Sequence, residues 1–159
     1  MSINFETIST NGIRLHTALA GPRDGMPVFL LHGFPEAWFG WETQIEPLAQ
    51  AGFRLIVPDQ RGYNLSDKPN GVASYRMDTL VADILGLADA LGYERFNLAG
   101  HDFGAMVSWN LARQHPQRIR QLAIANVPHP MVMKNFLRSH LSQVVKSWYA
   151  IFFQIPALP

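Results

Sequence analysis

Short apolar runs bounded by turn residues recur at residues 27–31, 54–57, 96–99 and 121–125, each too short and too continuous for an amphipathic helix. They predict strands buried on both faces of a sheet. Between them the period lengthens. Over 77–91, Met77, Leu80, Val81, Ile84, Leu87, Ala88 and Leu91 fall on one helical face, and Gly92 is placed to stop the helix. A second helix is predicted over 103–115, closed by Pro116, and residues 38–50 read as a turn and then a short helix with Pro47 in its first turn. Strands over 5–8 and 13–20 form an opening meander.

Strands alternating with helices predict βαβ units, hence an α/β fold with a mostly parallel, doubly wound sheet. After Pro128 the pattern changes: Phe136, Leu137, His140, Leu141, Val144, Val145, Trp148, Tyr149 and Phe152 recur at helical spacing and predict one long helix with a wide apolar face. The expected organisation is a core over 1–128 and a helical segment over 129–159, with the strand near 122–125 left as a sheet edge.

Composition narrows the function classes. Of 159 residues, 48% are hydrophobic and 16% charged, which suits a globular core and excludes a disordered chain. Thirteen basic against twelve acidic residues, without runs, leave no footprint for nucleic acid or an anionic membrane. The absence of cysteine excludes disulfides, thiolate metal sites and a cysteine nucleophile. No basic region precedes an apolar stretch at the start of the chain, so a cytoplasmic setting is the expectation.

The chemistry concentrates after the strands. Gly100-His101-Asp102-Phe103-Gly104 follows the run 96–99 and opens the next helix, the setting of a nucleophile elbow. Such a turn needs small flanking residues and pushes its central side chain, Asp102, out in front of a helix N-terminus. A strand-Asp-helix junction alone would read as a helix cap; the flanking glycines argue otherwise. A dinucleotide fingerprint would place glycine at 102, where a carboxylate repels pyrophosphate. His32-Gly33-Phe34-Pro35-Glu36 follows the run 27–31, at the loop that supplies an oxyanion N–H in such folds. Asp59-Gln60-Arg61-Gly62-Tyr63-Asn64-Leu65-Ser66 follows the run 54–57.

With these three motifs in order, and with Ala125-Asn126-Val127-Pro128-His129-Pro130 and the stretch from Ser147 to Gln154, the chain resembles the epoxide hydrolase branch of the α/β-hydrolases along essentially its whole length. The resemblance implies an α/β-hydrolase fold, here its N-terminal part with the start of a helical lid. It implies that Asp102 attacks an epoxide carbon to form an alkyl-enzyme ester, later hydrolysed by a histidine-activated water. The backbone N–H groups of Phe34 and Phe103 match the family's oxyanion hole, and Tyr149 matches the first lid tyrosine, the proton donor to the ring-opened alkoxide. Residue composition alone would make Tyr149 a packing aromatic on an apolar stripe. Trp38 and Phe153 are candidates for an aromatic substrate pocket with Phe34 and Phe103, although ordinary packing explains both as well. The Phe34–Pro35 bond is expected to be cis, as in relatives.

No metal or cofactor is implied, and the expected partner is a small hydrophobic epoxide. His16, His101, His115, His129 and His140 read as structural, and none matches the family's general base. That base, its acidic partner and the second lid tyrosine have no counterpart in these residues, so the stretch by itself is expected not to turn over. An apolar lid helix and an open edge strand suggest self-association or a complementing chain. Haloalkane dehalogenases place a halide-binding Trp, and fluoroacetate dehalogenases an Arg, where this chain has Phe103; an esterase would want Ser at 102. A non-catalytic interaction module is the remaining alternative.

Overall fold

The structure is a computed structural model, and it describes residues 2–139. The chain divides into two compact units, Met1–Val127 and Pro128–Pro159. The first unit holds strands β1 (Asn4–Thr10), β2 (Ile13–Ala20), β3 (Met26–Leu31), β4 (Phe53–Pro58), β5 (Phe96–His101) and β6 (Ile119–Ala125), and helices α1 (Glu42–Gln50), α2 (Met77–Ala90) and α3 (Phe103–Gln114). The six strands form one sheet in the order β1-β2-β4-β3-β5-β6. β1 and β2 pair antiparallel, as does β2 with β4, and the remaining pairs are parallel. This is the doubly wound α/β arrangement predicted from the alternation, with β6 at one edge among the described residues.

Why the central runs read as continuously apolar is visible in the core. Side chains alternate across a strand, so a strand covered on both faces needs an apolar residue at every position. From β3, Phe29 and Leu31 join Ile56 of β4, Leu98 of β5, the α2 residues Leu80, Ile84 and Leu87, and Val107 and Leu111 of α3 on one face. Val28 and Leu30 point the other way, to Leu55 and Val57 of β4 and to Ile45 and Ala49 of α1. The two faces are thus built from interleaved residues of the same strands.

Helix α2 ends as its sequence predicts. The N–H of Gly92, at φ 78°, donates to Asp89 O and that of Tyr93 to Ala88 O, closing the last turn as a Schellman motif. Pro47, expected in a first turn, lies inside α1 instead. A 3-10 turn at Trp38–Trp41 takes up the preceding residues, so α1 starts only at Glu42. Pro47 faces solvent, where water can serve the backbone carbonyl that its missing N–H leaves without a donor. In the second unit, α4 covers Pro130–Ser139, and the predicted continuation through Phe152 lies outside the described residues.

One buried ion pair ties the chain's early turn to its middle. Arg61 donates two bonds of 2.7 Å to Asp83 of α2, and Asn11, in the β1–β2 turn, donates a third of 2.8 Å to the same carboxylate. The Thr10 hydroxyl bonds the Asp83 carbonyl at 3.1 Å. Replacing Asp83 with Ala would strand the buried guanidinium and is expected to cost about 3–5 kcal/mol. Replacing Arg61 with Met and Asp83 with Leu together should cost far less. Urea unfolding of both variants tests this, and equal losses would contradict it.

Candidate active site

Asp102 stands between β5 and α3 with φ 50° and ψ −116°, a backbone conformation that costs a non-glycine residue about 1–3 kcal/mol. The surroundings hold it there. The Asp102 carbonyl accepts the N–H groups of Ala105 (3.0 Å) and Met106 (3.2 Å) in the first turn of α3. Its own N–H donates to Asn126 Oδ1 at 3.0 Å. Its carboxylate makes no capping bond to α3; instead Oδ1 accepts the N–H of Phe34 at 3.1 Å. The helix-cap reading therefore fails on geometry, and the carboxylate is aimed at the loop after β3.

That approach depends on two glycines. The Gly104 N–H donates to His32 O at 3.0 Å, and a Cβ on Gly104 would lie 2.3 Å from the Leu31 carbonyl oxygen. A Cβ on Gly33 would lie 2.7 Å from Asp102 Cβ. With the two backbones in contact, α3 begins directly over the loop. Phe103 is the first residue of α3, where a backbone N–H has no intrahelical acceptor. Phe34 is exposed, and its peptide bond to Pro35 is cis as expected.

Beneath the loop lies a buried polar layer. His32 Nδ1 donates to Gly33 O (2.8 Å), while Nε2 accepts the Gln60 N–H (3.0 Å), and the Gln60 side chain returns a 2.7 Å bond to His32 O. Those partners fix one neutral tautomer. Burial pushes the His32 pKa down, against smaller opposing contributions from the Gly33 carbonyl, Asp59 and Glu36. Asp59, fully buried, accepts Trp38 N–H (2.9 Å) and Asn64 Nδ2 (2.8 Å) and faces His16 Nδ1 at 2.7 Å. Tyr63 sets its ring against His32 at 4.8 Å and Phe103 at 6.4 Å, and burial, followed by the charge of Asp102, raises its pKa.

The structure thus brings together Asp102, Phe34 and Phe103. The Trp38 ring packs against Phe5 (4.9 Å) and Phe39 (6.3 Å). Tyr149 and Phe153 lie outside the described residues. Sequence reasoning passed over Tyr63 and the set Glu36, His101 and Asn126. A signal existed for the last: Asn126 follows the carboxyl end of β6, and a parallel sheet puts that end beside the elbow after β5. Among the described residues no group of acidic, histidine or cysteine side chains could hold a metal, and no helix is long and apolar enough to cross a membrane.

An open α/β sheet with an acidic residue on a strand-turn-helix elbow, facing an amide-bearing loop, defines a class of hydrolase fold. The family model described as the alpha/beta hydrolase fold matches residues 26–154, and the chain belongs to that family. The AB hydrolase superfamily protein YfhM of Bacillus subtilis is 50% identical over 157 residues, covering 99% of this chain and 55% of its own length. Epoxide hydrolase 4 of Mus musculus is 40% identical over 155 residues, covering 98% and 43%. The chain spans about half the length of the curated relatives it matches. Among solved structures, one titled as novel epoxide hydrolases of the alpha/beta hydrolases superfamily in metagenomes from hot environments aligns with TM-score 0.91 and 40% identity, over 99% of this chain and 53% of that one. Epoxide Hydrolase A from Mycobacterium thermoresistibile aligns with TM-score 0.78 and 41% identity, over 80% and 40%.

The neutral burial of His32 has a measurable consequence. Its folded pKa lies below the roughly 6.5 of an unfolded histidine, so the unfolded chain binds more protons and stability falls as pH drops below about 6.5. A His32→Gln variant, lacking the titrating ring, is expected to lose less stability between pH 7.5 and pH 5 than the parent, about as far as one buried histidine allows. Parallel melting curves across that range check it; identical slopes would refute the assignment.

Proposed function

We propose that this chain carries the nucleophile and oxyanion hole of an epoxide hydrolase, with Asp102 as the attacking carboxylate. The observation that carries the reading is the bond from Phe34 N–H to Asp102 Oδ1 across the two loops. It already seats one carboxylate oxygen where an ester carbonyl oxygen would be stabilised, which leaves Oδ2 as the oxygen that attacks. Relatives named epoxide hydrolases, at about 40% identity, support the same substrate class.

The residue type suits the reaction. An epoxide offers no carbonyl for a serine to acylate, but a carboxylate can open the ring by displacement at carbon. Asp102 Oδ2 forms the new C–O bond, the ring C–O bond breaks, and the alkoxide takes a proton from an acid, the role proposed for Tyr149. Water then adds to the ester carbonyl carbon. Negative charge gathers on Oδ1, where the N–H groups of Phe34 and Phe103 would meet it. The water gives up its proton to a base as it adds, and collapse breaks the bond between the carbonyl carbon and Oδ2, which takes a proton and leaves as a hydroxyl of the diol, so that the restored Asp102 carboxylate carries the oxygen of the water. The aromatic faces of Phe34 and Phe103, with Trp38 and Phe153 as further proposed wall residues, suit an uncharged apolar substrate. Phe103 in the place next to the nucleophile offers neither the indole N–H of halide-binding relatives nor the charge of those that take a carboxylate.

The histidines that line the strand ends are committed elsewhere: His32 is locked as a buried neutral ring, His16 is bonded to Asp59, and His101 meets Glu36 and Asn126 with its two ring nitrogens. Incubation of the 159-residue chain with styrene oxide is therefore expected to add one epoxide mass on Asp102, mapped by peptide mass analysis, with diol release at least about a thousandfold below the rate of alkylation. Asp102→Asn should abolish the adduct. An adduct elsewhere, or none, would sink the nucleophile assignment, and steady diol formation would show that a base is present after all. Halide release from a haloalkane would redirect the reading to dehalogenation.

A further inference from the structure

We propose that Asn126, oriented by His101 and Glu36, is a positioning residue that holds Asp102 in its attacking conformation through the Asp102 backbone N–H; this rests on the reading of Asp102 as nucleophile. Four bonds form the connection. Asn126 Oδ1 accepts the Asp102 N–H at 3.0 Å. Asn126 Nδ2 faces His101 Nε2 at 3.1 Å. His101 Nδ1 faces Glu36 Oε2 at 3.2 Å. Glu36 Oε2 also accepts the Gly33 N–H at 3.1 Å, in the loop that presents Phe34.

The proton arrangement follows from one fixed donor. A backbone N–H can only donate, so the amide oxygen of Asn126 must face Asp102, and its NH2 must then face His101. His101 Nε2 is consequently the acceptor, which places the ring proton on Nδ1, pointing at the Glu36 carboxylate. No other assignment satisfies all four groups. The chain of donated bonds therefore has a direction, from the nucleophile's N–H to the residue after β6, then to the residue before the nucleophile, and finally to the Glu36 carboxylate in the loop after β3.

The elbow is thereby gripped from three sides. Its carbonyl is held by the first turn of α3, its carboxylate by Phe34 N–H, and its N–H by Asn126. The first two grips come from backbone and survive any substitution at 126. Only the third is supplied by the side chain of another residue. Asn126 itself has φ 60°, a left-handed conformation that Asn and Gly accept, so Asn126→Gly deletes the amide and keeps the backbone in an allowed region. A purely conformational role for residue 126 would leave that variant unchanged; a positioning role would not.

The test follows mass addition by styrene oxide at increasing epoxide concentration, and amide hydrogen exchange at Asp102, in the full chain and in Asn126→Gly. The variant is expected to alkylate about tenfold more slowly at saturation with its half-saturating concentration unchanged, and to exchange the Asp102 amide about tenfold faster, while β5 amides at Leu98 and Ala99 keep their protection. His101→Phe, which keeps Asn126 but removes the acceptor that orients its amide, should move both readouts the same way by about threefold, and it decides the matter if Asn126→Gly shows no melting transition. Unchanged exchange at Asp102 overturns the proposal, whatever the alkylation rate. If the parent chain takes no adduct, the nucleophile reading fails and exchange alone decides the clamp: faster exchange in the variant upholds it.

Discussion

The contact on which this architecture depends is backbone against backbone. The N-terminus of α3 rests on the end of β3, with Gly104 N–H bonded to His32 O and no room for a Cβ between Gly104 and the Leu31 carbonyl. Moving α3 outward by the width of one methyl group would carry Asp102 away from Phe34 N–H, and the bond that seats its carboxylate would lengthen beyond use. The interleaved core explains why the two elements come so close. β3 and β5 are hydrogen-bonded neighbours, and both bury Phe29, Leu31 and Leu98 under α2 and α3. Packing the helices onto that face draws their ends into register with the strand ends.

Polar groups at the strand ends are then committed rather than spare. Asp59 meets Trp38 N–H, Asn64 and His16; His32 spends both ring nitrogens; and no buried side-chain nitrogen or oxygen of the described residues lacks a partner. Such a layer is costly to half-satisfy, since each orphaned polar group loses its hydration without recompense. It is also stiff. Stiffness matters beneath a turn whose central residue sits at φ 50°, because the strain of that turn persists only while its surroundings over-determine it.

Much of this was legible in the residues. Alternating faces in β3 and β4 appear in the sequence as the continuous apolar stretches Val28 to Leu31 and Leu55 to Val57, the α2 stop is written in Gly92, and the elbow is announced by glycines on either side of His101, Asp102 and Phe103. The doubly wound α/β class and the cis bond before Pro35 followed from pattern and resemblance. Pro47 misled because the rule for proline in helices counts a lost N–H and a ring clash at any interior position, whereas α1 turns that residue to solvent, where water can serve the carbonyl left without a donor. The part played by His101 was missed for a different reason. Its partners, Glu36 and Asn126, lie 65 and 25 residues away, and periodicity carries no information about which side chains meet across strand ends.

Long-range meetings of this kind distinguish the residues that shape the fold from those that aim the site. Core positions tolerate exchange among apolar side chains of similar volume, because their contribution is area removed from water. Glu36, His101 and Asn126 contribute direction instead, and a bond that must point from a given atom to another admits few substitutes. They stand on three separate segments, after β3, at the end of β5 and after β6. The sheet order places β3, β5 and β6 side by side and parallel, so their carboxyl ends converge at one edge without any further device. The fold therefore supplies the convergence, the glycines supply the closeness, and the polar side chains between the three loops convert closeness into a fixed orientation of Asp102.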